Sequence, residues 1–144
     1  GKTYKRLALE KADFDTSRIH FTGHIPYAFY LKIIQSSSAH VYLTYPFVLS
    51  WSMLEAMSAG CLVLASNTPP VTEVVKDGYN GLLFDFFSPH EIADKVNYAL
   101  GHQGEMAQIR QNARETILKK YNLRDLLPKQ VRLLKELAER KGTL

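Results

Sequence analysis

The chain has 144 residues, 46% hydrophobic and 22% charged, an ordinary composition for one domain able to bury a core. No apolar run approaches the ~18 residues of a membrane helix, and the opening G-K-T-Y-K-R lacks the apolar segment of a secretory leader, so a cytoplasmic protein is expected, with at most peripheral contact at a membrane. The single cysteine, Cys61, excludes an internal disulfide; residues 119–141 hold eight basic and three acidic residues, so the net charge of +4 belongs to that end, with the remainder at minus one.

Residues 2–12 carry good helix formers, with Tyr4, Leu7, Ala8 and Lys11 at helical spacing, and predict a surface helix. No strand precedes it. Strand–helix alternation in α/β domains therefore suggests a chain that begins inside a domain, without its first strand–helix units. A polar turn over 13–17 leads to a short alternating strand at 18–22 that ends at Gly23. His20 and His24 straddle that strand end and find no third ligand at suitable spacing, so no metal is predicted. Pro26 suits the first turn of a helix to about residue 37, with Tyr27, Tyr30, Leu31 and Ile34 predicted to face the sheet.

The central stretch, residues 39–66, reads as strand, loop, helix and strand. His40 to Thr44 is β-branched and aromatic, Tyr45-Pro46 breaks it, Ser50 or Ser52 caps a helix that Gly60 closes, and 61–65 is an apolar run typical of a buried parallel strand. Cys61 falls there and reads as a small core hydrophobe. A loop in this position lies at the carboxyl end of a strand and at a helix N-terminus, where open α/β sheets bind ligands and exposed N–H groups favour phosphate.

Downstream, Asn67 to Pro70 opens a short helix through Val75, the dipeptides Asp77-Gly78 and Asn80-Gly81 mark turns, and 82–84 is a strand. Ser88-Pro89 starts a helix with Ile92, Val96 and Leu100 on one face. Another runs over 105–120, and Asn122 caps a last one that Pro128 is expected to kink or split. The predicted architecture is a single domain, 1–144: an α/β, three-layer, Rossmann-like parallel sheet with strands near 18–22, 40–44, 61–65 and 82–84, truncated at its N-terminus, with a helical C-terminal segment. The open sheet edge invites self-association.

The run L-E-A-M-S-A-G-C-L-V-L-A-S, followed by E-V-V-K-D-G-Y-N-G-L-L-F, resembles the C-terminal, donor-binding domain of the retaining glycosyltransferases built from two facing Rossmann-like domains, the group 1, family 4 type of the GT-B architecture. The match covers roughly residues 18–100. The family's motif carries two glutamates around a glycine-rich loop; Glu55 matches the second, Phe47 stands in place of the first, and Val48 and Ser50 replace loop glycines. The resemblance implies a nucleotide-sugar donor and an absent N-terminal domain that holds the acceptor; no cofactor or metal is expected. It places the donor near Phe47, Val48, Leu49, Ser50, Ser52 and Glu55, with the base beside Gly23, His24 and Ile25.

The residues alone leave Glu55 two roles. Ser52-Met53-Leu54-Glu55 fits a capping box, in which Glu55 satisfies the Ser52 N–H; a carboxylate one turn into the helix also suits the two ribose hydroxyls of a nucleoside diphosphate, as the matching family glutamate does. Ser50 and Ser52 can likewise cap or offer groups to a diphosphate. Tyr45, Phe47, Leu49 and Trp51 read as an apolar wall, with at least two of them in the core. No acid–base pair or nucleophile stands out, so no catalytic residue is assigned. A non-catalytic flavodoxin-like binding or regulatory module is the alternative, and a nucleic-acid binder, which only the high pI suggests, is not expected.

Overall fold

A computed structural model of the chain describes residues 3–11, 15, 17–45 and 47–141. The chain forms two compact units, spanning residues 1–30 and 31–144. The first holds helix α1 (Tyr4–Lys11), whose described side chains are exposed or half-buried and whose Arg6 and Glu10 pair at 2.9 Å. Lys5 Nζ lies 4.5 Å from the centre of the Phe21 ring.

The strand expected at 18–22 does not form. Asp15 Oδ1 accepts the Ser17 N–H at 3.0 Å, and Arg18 donates its N–H to the Asp15 carbonyl, so the chain turns here. Ile19 and Phe21 are exposed, and among the described residues no strand pairs with 18–22; alternating side chains without a ladder partner make no sheet. Helix α2 (Tyr27–Ser36) follows, with Ile34 as its buried residue. Tyr27, expected in the core, is 60% exposed and stacks on Tyr30 with ring centres 6.0 Å apart.

The second unit is built on a three-stranded parallel sheet, β1 (His40–Tyr42), β2 (Val63–Ser66) and β3 (Leu82–Phe84), in that order. Tyr42 pairs with Ala65, and Ser66 with Phe84. β1 is shorter than its sequence suggests because a side chain takes over the ladder. Ser66 Oγ accepts the Thr44 N–H at 3.1 Å and donates to the Thr44 carbonyl at 2.9 Å. Every residue of β2 is buried, as expected of a central parallel strand covered on both faces.

Between β1 and β2 runs helix α3 (Trp51–Ser58). Gly60, at φ +80°, takes the left-handed position that lets the chain leave α3 and enter β2. Met53, Ala56 and Met57 give α3 a fully buried face at i, i+3, i+4 spacing. After β2 the chain makes a short helix, α4 (Pro69–Thr72), and a tight return through Gly78 and Gly81. A Cβ at Gly81 would stand 2.7 Å from Val75 Cγ1 and 3.1 Å from the Val63 carbonyl, so only glycine lets this return pack on the sheet. Buried Asn80 locks it, accepting the Lys76 N–H at 2.7 Å and donating to the Val74 carbonyl and Thr116 Oγ1.

Helix α5 (Pro89–Gly101) starts at Ser88, whose Oγ accepts the Glu91 N–H at 3.2 Å, and packs on β3. Helix α6 (Gln103–Lys120) packs on α3 and α5. Leu62, Leu64, Leu82, Phe84, Ala99, Met106 and Ile109 form the core cluster between sheet and helices. Cys61 is buried as expected, and burial pushes its thiol pKa up. The last helix, α7 (Leu123–Lys141), opens at Asn122, whose Oδ1 accepts the Arg124 N–H at 3.1 Å. Pro128 does not split it: the proline stands in the second turn, where its missing N–H forfeits one backbone bond.

Candidate functional site

The site follows from the way α3 begins. The loop after β1 leaves the sheet at its carboxyl end and delivers Ser50 as the N-cap, with extended φ and ψ of −78° and 142°. Ser50 Oγ accepts the Ser52 N–H at 3.3 Å and lies 3.1 Å from Ser52 Oγ. Ser50 is itself held from the sheet, because its N–H is donated to the Tyr42 hydroxyl at 2.8 Å. Two hydroxyls and the exposed end of a helix therefore meet at the carboxyl end of β1, a position that carries partial positive charge.

This geometry chooses between the two caps that the sequence left open. Ser50 is the cap, and Ser52 lies inside the helix at its second position. A capping box built on Ser52 and Glu55 is not the start of this helix. Glu55 stands in the fifth position, one turn in and half-buried, on the same side as Ser52.

The aromatic wall is not a core. Phe47 is 80% exposed, Trp51 79% and Tyr45 64%, whereas Leu49 is half-buried. Val48 is exposed as well. Pro46 lies outside the described residues. Tyr45, Phe47, Val48 and Trp51 thus leave most of their surface in water. The other expected site residues belong to the first unit, where Gly23 has φ +62° and, like His24, is exposed, and Ile25 is half-buried.

Two groups that shape the site escape a reading of the sequence. Tyr42 reads as an ordinary strand aromatic, yet its hydroxyl sets the position of Ser50; Ser66 reads as the end of a strand, yet it clamps the first residues of the loop. Their signal is faint: each is the polar atom on an inward-facing residue at a strand's carboxyl end. The pair Phe86-Phe87, one residue beyond β3, reads in the sequence as two loop aromatics with nothing that marks a site.

A family model described as "Glycosyl transferases group 1" matches residues 1–116, most of the chain. The chain belongs to the group 1 glycosyltransferases. An uncharacterized glycosyltransferase of Methanocaldococcus jannaschii is 29% identical over 141 residues, a match covering 97% of this chain and 35% of that protein. The chain thus spans about a third of the length of that curated relative. Among solved structures, sucrose-phosphate synthase from Thermosynechococcus elongatus superposes with a TM-score of 0.80 at 22% identity, over 87% of this chain and 31% of that one. The C-terminal domain of a group 1 glycosyl transferase from Francisella tularensis gives 0.65 at 25% identity, over 72% and 53%. HepE of Anabaena, solved in complex with UDP-glucose, gives 0.62 at 21% identity, over 78% and 29%. The Rossmann-like α/β fold of a glycosyltransferase C-terminal domain is what these likenesses share with this group 1 chain.

Proposed function

We propose that the chain is the donor-binding part of an enzyme that transfers a sugar from a nucleoside diphosphate to an acceptor, with retention of configuration. The observation that carries this reading is the start of α3: a capped helix N-terminus at the carboxyl end of a parallel strand, with two serine hydroxyls beside it and the Glu55 carboxylate one turn in. The diphosphate takes the helix end and the serine hydroxyls; the ribose hydroxyls donate to Glu55. The likeness to a protein solved with UDP-glucose supports a nucleotide sugar as the ligand. The acceptor is held by an N-terminal half, and the rate comes from positioning and from stabilising the departing diphosphate rather than from a nucleophile of this chain. Phe47 offers no acceptor for a sugar hydroxyl, so the donor sugar is held by backbone and serine groups instead.

The test is Glu55→Gln. Glutamine preserves size and helix propensity but gives up a charged acceptor shared by two hydroxyls, worth roughly 1.5–3 kcal/mol. Calorimetric titration of UDP, GDP and ADP should show affinity for the preferred nucleotide falling about ten- to a hundredfold, with a nearly native melting curve. Equal affinity in wild type and variant, with the variant melting lower, would make Glu55 a structural residue and the site assignment wrong.

A further inference from the structure

One cluster of side chains belongs neither to the core nor to the start of α3. Tyr45, Phe86 and Phe87 meet edge to face, with ring centres 4.9 Å apart for Phe86 and Phe87, 5.8 Å for Tyr45 and Phe86, and 6.4 Å for Tyr45 and Phe87. The three rings fix one another in place. Phe87 is nonetheless 74% exposed, so a preorganised aromatic surface faces water at the carboxyl edge of the sheet.

A cleft of 370 Å³ lies beside it, between the end of β3 and the first turns of α5, with Asn67, Asp77, Asp85, Glu91 and Lys95 in its walls. The two features are physically joined. Asp85 lines the cleft and directly precedes Phe86; its Oδ1 accepts the Phe87 N–H at 2.9 Å, and its own N–H is donated to Glu91 Oε2 at 3.1 Å. Lys95 Nζ sits 3.9 Å from Asp77 Oδ2.

Charge selects the class of ligand. Three carboxylates against one ammonium disfavour a phosphate or any other anion. Among the described residues no group of three histidine, cysteine, aspartate or glutamate side chains comes together to hold a metal ion, which sets aside a divalent cation. The ligand that fits is neutral, donates several hydroxyl protons to carboxylate and amide oxygens, and presents an apolar C–H face to a ring. A pyranose has these properties, since its equatorial hydroxyls form a polar rim and its axial C–H bonds, slightly positive, suit the negative face of an aromatic ring.

We propose that this cleft and the Tyr45, Phe86 and Phe87 rings form a subsite for a neutral sugar unit, separate from the nucleotide site proposed above. Tyr45 belongs to the same loop as Phe47 and Val48, so the subsite adjoins the donor site along one stretch of chain. Its being separate from the donor site rests on the donor reading; its binding of a sugar does not.

The experiment is saturation-transfer NMR on the intact protein, irradiating aromatic protons in the presence of methyl α-glucopyranoside, methyl α-mannopyranoside or methyl β-galactopyranoside. Saturable transfer to the ring C–H protons of at least one sugar is expected, reduced about fivefold or more by Phe87→Ala, retained by Phe87→Trp, and undiminished by saturating UDP. Because Phe87 is exposed, the alanine variant should melt within about 2 °C of wild type. Absence of saturable transfer to all three sugars, or equal transfer in wild type and Phe87→Ala, overturns the subsite. Loss of the signal on adding UDP does so too, since the sugar would then occupy the donor site. Sugar transfer without any UDP binding supports the subsite and overturns the donor reading instead.

Discussion

Ser50 decides where α3 begins, and the whole donor hypothesis hangs from that position. The Ser52 N–H is already taken by Ser50 Oγ. Two near-identical serines should then behave differently. Ser50→Ala removes the cap and is expected to cost about 1 kcal/mol of stability, whereas Ser52→Ala, a change inside the first turn to a better helix former, should leave stability unchanged or slightly raised. Urea unfolding of both variants measures the difference. A larger loss for Ser52→Ala would move the cap two residues on and restore the capping box, with Glu55 in a structural role. The sequence showed both serines plainly and could not rank them, because the deciding contact is long-range: the Tyr42 hydroxyl, from the preceding strand, takes the Ser50 N–H.

The elements best read from sequence were those fixed by local chemistry. Asp77-Gly78 and Asn80-Gly81 announced the return into β3, and Ser88-Pro89 announced α5; each signal lies within a few residues of the element it starts. The readings that failed depended on partners. Alternation at 18–22 looked like a strand, but a strand is defined by a neighbour, and the Asp15 turn was the stronger local preference. Tyr27 and at least two of Tyr45, Phe47, Leu49 and Trp51 read as core from their apolarity, yet Tyr27, Tyr45, Phe47 and Trp51 are exposed and Leu49 is only half-buried. Helix α7 is the sharpest case. Its sequence carries an apolar stripe through Leu123, Leu127, Val131, Leu134 and Ala138, and yet, apart from half-buried Leu126, its described side chains are exposed. In the chain alone its helicity must come from local propensity and the Asn122 cap, which leave a 19-residue helix marginal. Amide hydrogen exchange should therefore be at least about a hundredfold faster in α7 than in β2, whose opening requires loss of the core. Equal protection of the two elements would mean that α7 is held by packing that the exposure of its side chains contradicts.

At the scale of the molecule, affinity should depend on what covers the site. The start of α3 lies at the carboxyl edge of the sheet with Phe47, Val48 and Trp51 largely in water, so a nucleotide bound there on the second unit makes contact from one side. Ligand sites of useful affinity bury about 70–90% of the ligand's surface. One wall cannot do that. The chain spans 35% of the length of its M. jannaschii relative and 31% of the sucrose-phosphate synthase chain, which leaves room in such proteins for a second wall. If that wall completes the site here too, the 144-residue chain should bind UDP at least about tenfold more weakly than the same chain joined to the N-terminal half proposed above, a difference of ~1.4 kcal/mol. On that same condition the chain by itself should release no UDP from UDP-glucose, because transfer needs an acceptor and exclusion of water, both of which the proposed second wall would supply. Calorimetry on both forms, with a coupled assay for released UDP, tests this directly. Equal affinity would show that the loop and Glu55 grip the nucleotide without cover, and the second wall would then have no part in nucleotide binding.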